Sequence, residues 1–190
     1  HMLNLLSLPQ GIETALWQTL TVSYFARHDA GEIAWHARVL HRHVKTAKPI
    51  VSARPSSLGE GLQVLVYAPD QADLFARIVG FFDSAGFNIL DAKVHTSRSG
   101  FALDTFQVIS TRIEPGDPSA YRDLISLVET QAVMALSSSG PLPEPGRGRG
   151  VLAAALQAGL LGREGDEADR RIPLPAAEHA RELEQRRDAR

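Results

Sequence analysis

The sequence predicts an α+β fold, and three observations between Gly61 and Ser110 carry that prediction. Leu62, Val64 and Val66 alternate with Gln63, Leu65 and Tyr67, the two-residue period of a strand with at least one buried face. Leu74, Phe75, Ile78, Val79 and Phe82 then recur at spacings of three and four, which makes one apolar stripe on a helix. Two further alternating runs follow, joined by a short turn containing glycine, the pattern of a hairpin.

The first strand stops at Pro69-Asp70, and Gly86 ends the helix. The second strand places Leu90, Ala92 and Val94 on one face. Asp91, Lys93 and His95 fall on the other, a row that reads as solvated or interface-facing. The third strand runs from Phe101 to Ser110 with Ala102, Phe106 and Val108 sharing a face; Asp104 lies in the same row, so it sits at the rim or is buried with a partner. A two-residue loop at Ser99-Gly100 would set apolar residues against polar ones. A three-residue loop, Arg98-Ser99-Gly100, instead opposes Ala92 to Phe106, Leu90 to Val108 and Lys93 to Thr105, and requires a positive φ and a glycine bulge at Gly100. Asp117 before Pro118 marks a second helix start. Tyr121, Ile125, Val128, Ala132 and Leu136 give that helix a core-facing stripe, which ends by Ser137-Ser138-Ser139-Gly140.

The resulting order, βαββα, is ferredoxin-like, with both helices on one face of an antiparallel sheet. A fourth strand is not evident, which leaves an unpaired edge. Pairing of two copies through sheet edges would cover it. Arg171-Ile172-Pro173-Leu174 is a poorer candidate because Pro173 lacks a backbone donor.

The flanks read differently. Residues 1–50 are expected to be helical, with a break around Asp29-Ala30-Gly31; Ile12, Leu16, Leu20 and Tyr24 share a face that Ile33, His36, Ala37 and Leu40 continue. Residues 51–60 carry the proline, serine and glycine of a linker, residues 61–137 form the folded unit, and 138–190 are linker and an unassigned tail. His1-Met2 reads as an expression remnant, since a natural start puts methionine first. In the tail, Val151–Leu161 and Ala176–Arg190 are rich in alanine, arginine and glutamate, with helical pairs such as Glu182 and Arg186. One expectation is that the coding sequence was shifted or truncated near residue 150, which resequencing of the locus would test.

Across 190 residues, 20 lysines and arginines face 22 aspartates and glutamates, a net charge of −2. That balance argues against nucleic acid or a membrane surface as partner. The absence of cysteine excludes disulfides, thiol nucleophiles and cysteine metal sites, and no apolar run approaches a membrane span, so a cytoplasmic protein is expected. His28-Asp29 is the dipeptide of metal-dependent phosphohydrolases, yet such a site also needs an upstream histidine and a downstream aspartate, and the one upstream histidine is His1 of the expression remnant; a surface turn, with Asp29 near a helix start, is favoured. His36, His41 and His43 lack the spacing of a helical metal pair.

Three stretches together, Val66 to Arg77, Asn88 to Thr96 and Gly100 to Phe106, resemble the first ACT domain of the bifunctional PII uridylyltransferase/uridylyl-removing enzyme family. Most ACT domains carry glycine before the first leucine of the helix; Asp73 stands there, similar to this family's first repeat. Tyr24-Phe25-Ala26-Arg27-His28 and Glu32-Ile33-Ala34-Trp35-His36 resemble the segment that joins the family's hydrolase domain to that ACT unit. From Gly150 onward the resemblance stops, and neither the strand that would close the first sheet nor a second ACT repeat follows.

The resemblance implies glutamine or another small amino acid as ligand, PII as partner of the whole enzyme, and homodimers through ACT units. It places the Mg2+- and UTP-dependent chemistry in domains N-terminal to this segment. No cofactor is expected in this chain, and by itself it is expected to be catalytically silent. Binding residues are expected at the corner between the first strand and the helix, Asp70, Gln71, Asp73, Leu74 and Phe75, where first-turn N–H groups suit a carboxylate. The resemblance implies that Asn88, Ile89 and Leu90 of a neighbouring unit complete the site, Asn88 offering both donor and acceptor. The plainer alternative is that Asp70 only caps the helix, with Asp73 as its first-turn acid. Two other classes stand beside this reading: an ACT module that oligomerises without ligand, and a phosphohydrolase fragment using His28-Asp29.

Overall fold

The computed structural model describes residues 12–43, 46–57, 60–110, 118–138 and 140. Three short helices come first: α1 (Ile12–Trp17), α2 (Val22–Arg27) and α3 (Ala30–Leu40). Then follow β1 (Ile50–Pro55), β2 (Leu62–Pro69), α4 (Leu74–Ser84), β3 (Phe87–Lys93), β4 (Phe101–Ser110) and α5 (Pro118–Ser137). The four strands form one antiparallel sheet in the order β1-β2-β4-β3. This is the ferredoxin-like arrangement expected, with the fourth strand supplied from an unexpected place.

That strand is β1, which begins at Ile50, the last residue of the stretch expected to be helical, and runs into the stretch read as a linker at residues 51–60. Val51 and Ala53 point into the core with the two-residue period of a strand, and Pro55 ends it. The composition misled because Ser52 sits at an outward-facing position between the buried Val51 and Ala53, and the remaining proline and serines lie at the strand's end and beyond. β1 pairs with β2 from Ile50 opposite Tyr67 to Pro55 opposite Leu62. Its Ala53 N–H donates to Glu129 Oε1 of α5 at 2.8 Å, so a helix side chain meets a backbone donor on this outer strand.

The hairpin register follows the pattern of side chains. Ala92 lies opposite Phe106 and Lys93 opposite Thr105. Gly100 has φ of 78°, its N–H donates to the Ser97 carbonyl at 3.0 Å, and the Ser97 N–H donates to the Phe101 carbonyl at 2.7 Å, closing the three-residue loop with its glycine bulge. One pairing differs. A register shift between Ile89 and Asp91 sets Ile89 opposite Val108, so Ile89 is buried while Leu90 is half-buried and leaves the core row.

Helices α4 and α5 cover the inner face of the sheet. Leu62, Val64, Val66, Ala102, Phe106 and Val108 meet Leu74, Phe75, Ile78, Val79 and Phe82 of α4 and Val128 and Ala132 of α5. Phe106 sits between Phe75 and Phe82, with ring centroids 6.0 and 5.4 Å away. The start of α5 at Pro118 and its apolar stripe agree with the sequence pattern; Asp117 and the tail beyond Gly140 lie outside the described residues.

The outer face of the sheet, to which the sequence reading assigned no covering element, is covered as well. Leu16 and Leu20, Tyr24 of α2, and Trp35 and Leu40 of α3 pack on Leu65, Tyr67 and Leu103 across the outer face. The sheet is therefore the middle of three layers. The physical reason was already present in β2, where both rows are apolar and so both faces need cover. The N-terminal helices break twice, at Gln18–Thr21 and at His28-Asp29. Asp29 Oδ1 accepts from the Glu32 N–H at 2.8 Å, and Glu32 Oε2 accepts from the Asp29 N–H at 3.1 Å, a complete capping box at the start of α3.

Candidate functional site

The corner between β2 and α4 is built by the chain's need to turn. Pro69 ends the strand, and the Asp70 N–H donates to the Gly100 carbonyl at 2.9 Å, which ties the corner to the hairpin loop. Thr96 Oγ1 donates to Asp70 Oδ2 at 3.1 Å. Asp73 occupies the N-cap position, yet its side chain makes no capping bond; its Oδ2 accepts from Arg77 Nε at 2.6 Å instead. Arg77 in turn donates to the Gly140 carbonyl at 2.7 Å. The helix therefore begins about one turn later than a cap at Asp70 would place it, and the Asp73 side chain at its N-cap position makes no capping bond.

The expected binding residues fall into two groups that a single chain does not bring together. Asp70, Gln71 and Asp73 ring the corner, with Gln71 exposed and Asp73 half-buried. Leu74 and Phe75 are buried core residues beneath it. Asn88, Ile89 and Leu90 lie on β3, where Asn88 pairs with Ile109 at the far end of β4. Asp70 neighbours Phe101 and Gly100 at the near end. By the rise of an extended strand the two groups are roughly 25 Å apart. β3 is the outermost strand on its side of the sheet, so Asn88–Leu90 lie on an edge that a neighbouring molecule can approach.

Asp104 is fully buried, and its Oδ1 accepts from the His95 N–H at 3.2 Å, so it is held with a partner. Lys93 and His95, read as a solvated or interface-facing row, face the N-terminal helices instead. Lys93 Nζ donates to both Glu32 oxygens, at 2.8 and 2.7 Å, and Glu32 is only 1% exposed. Gln63 Nε2 donates to Glu32 Oε1 at 2.8 Å, and Gln63 Oε1 accepts from Arg54 Nε and Nη2 at 2.9 and 2.6 Å. Arg54 lies 4.2 Å over the Trp35 ring. The buried carboxylate is thereby matched to donors on all sides, which a group taken from water requires.

Three histidines line the same interface. His36 Nδ1 is 2.8 Å from the Tyr24 hydroxyl and its Nε2 is 3.2 Å from Thr105 Oγ1. His28 Nδ1 donates to the Tyr24 carbonyl at 2.9 Å, which leaves Nε2 as the ring's acceptor. His28 is 6% exposed, so the turn it occupies is not a surface one, although Asp29 does start a helix. Burial lowers the pKa of His28 and takes that of His36 well below the usual range. His95 is pushed down to about 4 by burial first and then by His28 and Arg27. Burial, with Glu32 nearby, raises the Tyr24 phenol well above its ordinary value. Sequence reasoning placed Tyr24 and His36 on the apolar face of the N-terminal helices but did not join them to His95 and Lys93, which lie about sixty residues further along the chain. Two signals were available: the Asp29-x-x-Glu32 spacing of a capping box, and Leu65, Tyr67 and Leu103 demanding cover on the same face.

Among the described residues no helix is long and apolar enough to cross a membrane. A family model described as the uridylyltransferase GlnD fifth domain matches residues 1–39, a stretch that ends within α3. The bifunctional uridylyltransferase/uridylyl-removing enzymes of Burkholderia mallei (strain SAVP1), Burkholderia pseudomallei (strain 668) and Burkholderia thailandensis are each 50% identical over 148 residues, which is 78% of this chain. The chain spans 17% of the length of these relatives. Over that span it belongs, as a segment, to the family of bifunctional uridylyltransferase/uridylyl-removing enzymes.

Proposed function

We propose that this chain is the regulatory ACT segment of a cytoplasmic enzyme that attaches UMP to the PII protein and removes it, and that it senses glutamine or another small amino acid. The 50% identity over 78% of the chain carries this reading. The ferredoxin-like sheet supplies a turn beside a helix start for the ligand's carboxylate. Because Asp70–Phe75 and Asn88–Leu90 lie at opposite ends of the sheet, the reading includes a homodimer in which the β3 edge of one copy approaches the β2–α4 corner of another. A ligand that prefers one arrangement of the paired units then biases the whole enzyme towards removal of UMP rather than its attachment.

One observation favours a second reading. The Thr96–Asp70 hydrogen bond gives Asp70 a structural task in holding the hairpin loop, as in an oligomerisation module without ligand. Isothermal titration separates the two. Glutamine is expected to bind the wild-type chain and to bind Asp70→Ala at least about tenfold more weakly, the loss of one charge-assisted contact. Equal affinities would remove Asp70 from the site, and flat titrations with glutamine and other amino acids would favour the module.

A further inference from the structure

The layer formed by α1–α3 meets the sheet through an interface unlike the apolar core on the other side. His28, His36 and His95 lie within it around Tyr24, with His28 and His36 ring centroids 5.1 Å apart and Tyr24 lying 4.4 Å from His28 and 5.5 Å from His95. The Nε2 atoms of His28 and His95 are buried and have no hydrogen-bond partner among the described residues. We infer that the α1–α3 layer is a proton-sensitive arm, docked on the outer face of the sheet while these three histidines are neutral and released when they gain protons. The inference is independent of any ligand at the β2–α4 corner.

The geometry supplies the reason. His28 Nδ1 already donates to the Tyr24 carbonyl, so a proton gained by His28 goes to Nε2, a buried atom with no hydrogen-bond partner among the described residues. A protonated His36 donates from both nitrogens, which forces the Tyr24 hydroxyl to accept and turns its hydrogen away from the ring. The charged and titratable neighbours come from every packed element. Tyr24 and Arg27 belong to α2, Glu32 to α3, Arg54 to β1 and Lys93 to β3, and the Asp104 carboxylate of β4 takes the His95 N–H. Glu32 is the cluster's anion on the α3 side, and Lys93 already holds both its oxygens. Arg27, Arg54 and Lys93 oppose a further positive charge. The histidine pKa values are depressed in the docked state. An undocked arm therefore binds protons that the docked arm does not as pH falls below about 6.5, and docking is lost towards lower pH. On release α4, α5 and the inner face of the sheet keep their own core.

The sequence has two tryptophans, Trp17 and Trp35, and both lie in the arm. The test is a pH titration of the full chain from 8 to 4, following tryptophan emission, the two indole N–H signals, the histidine ring signals and amide protection in β2, β4 and α4. Both indoles are expected to shift together with His28, His36 and His95 below about 6.5, while the sheet and α4 amides stay protected. His28→Asn, which keeps a donor for the Tyr24 carbonyl, is expected to lower the midpoint and reduce the proton uptake from about three to about two. His95→Gln serves as a second such variant. Unchanged indoles down to pH 4, loss of the sheet amides at the same midpoint, or the same midpoint and uptake in both variants would overturn the inference.

Discussion

The two faces of the sheet are held by different means. On the inner face Phe75, Phe82, Phe87 and Phe106 interlock with aliphatic residues, and only the volume and shape of each side chain matter. On the outer face an apolar patch around Leu65, Tyr67 and Leu103 is bordered by a polar network running Arg54, Gln63, Glu32, Lys93 and by the Tyr24–His36–Thr105 chain. Such a network fixes one arrangement because each member is satisfied only there. An apolar face tolerates repacking, whereas a polar one fails when a single partner is removed.

Phe106→Ala sharpens this contrast with the largest effect. The side chain is fully buried between two phenylalanines, and its loss is expected to destabilise by about 3–5 kcal/mol in denaturant unfolding, with both helical layers melting together. Lys93→Met comes next at about 3 kcal/mol, since it strands the buried Glu32 carboxylate; the lysine is itself 15% exposed, which places the effect at the low end for such pairs. Combining it with Glu32→Gln is expected to recover part of that loss, because the uncompensated charge is gone. A double variant as unstable as Lys93→Met alone would mean that packing, not charge, sets the cost. Tyr24→Phe is expected to cost about 1–2 kcal/mol by leaving one His36 nitrogen without its partner, and to destabilise the N-terminal layer before the sheet in hydrogen exchange.

The inner face was legible in the sequence because burial there is written in periods of two and three to four. The stripe on α4, the stripe on α5, and the Ala92–Phe106 and Lys93–Thr105 pairings all follow from those periods, and Gly100 from the loop they require. The shift at Leu90 was not legible, since a bulge depends on how β3 meets β4 rather than on β3 itself. β1 was hidden by Pro55 and the serines around it, although Ile50–Pro55 alternates as a strand should. The outer face was misread because Lys93, His95 and Thr105 look solvent-facing until Leu65, Tyr67 and Leu103 are counted in the same rows. At the candidate site the position of the corner was legible. The roles of Asp70 as cap and Asp73 as first-turn acid were not, because α4 starts at Leu74 with Asp73 at its N-cap position and the Asp73 carboxylate taken by Arg77.

The central structural claim is that the N-terminal helices lie on the outer face with Tyr24 against His95, whose ring centroids are 5.5 Å apart. A nuclear Overhauser measurement at pH 7.5 between the ring protons of these two residues tests it most directly. A clear cross-peak is the expected result; its absence, while the β2–β4 backbone cross-peaks are intact, would contradict the account.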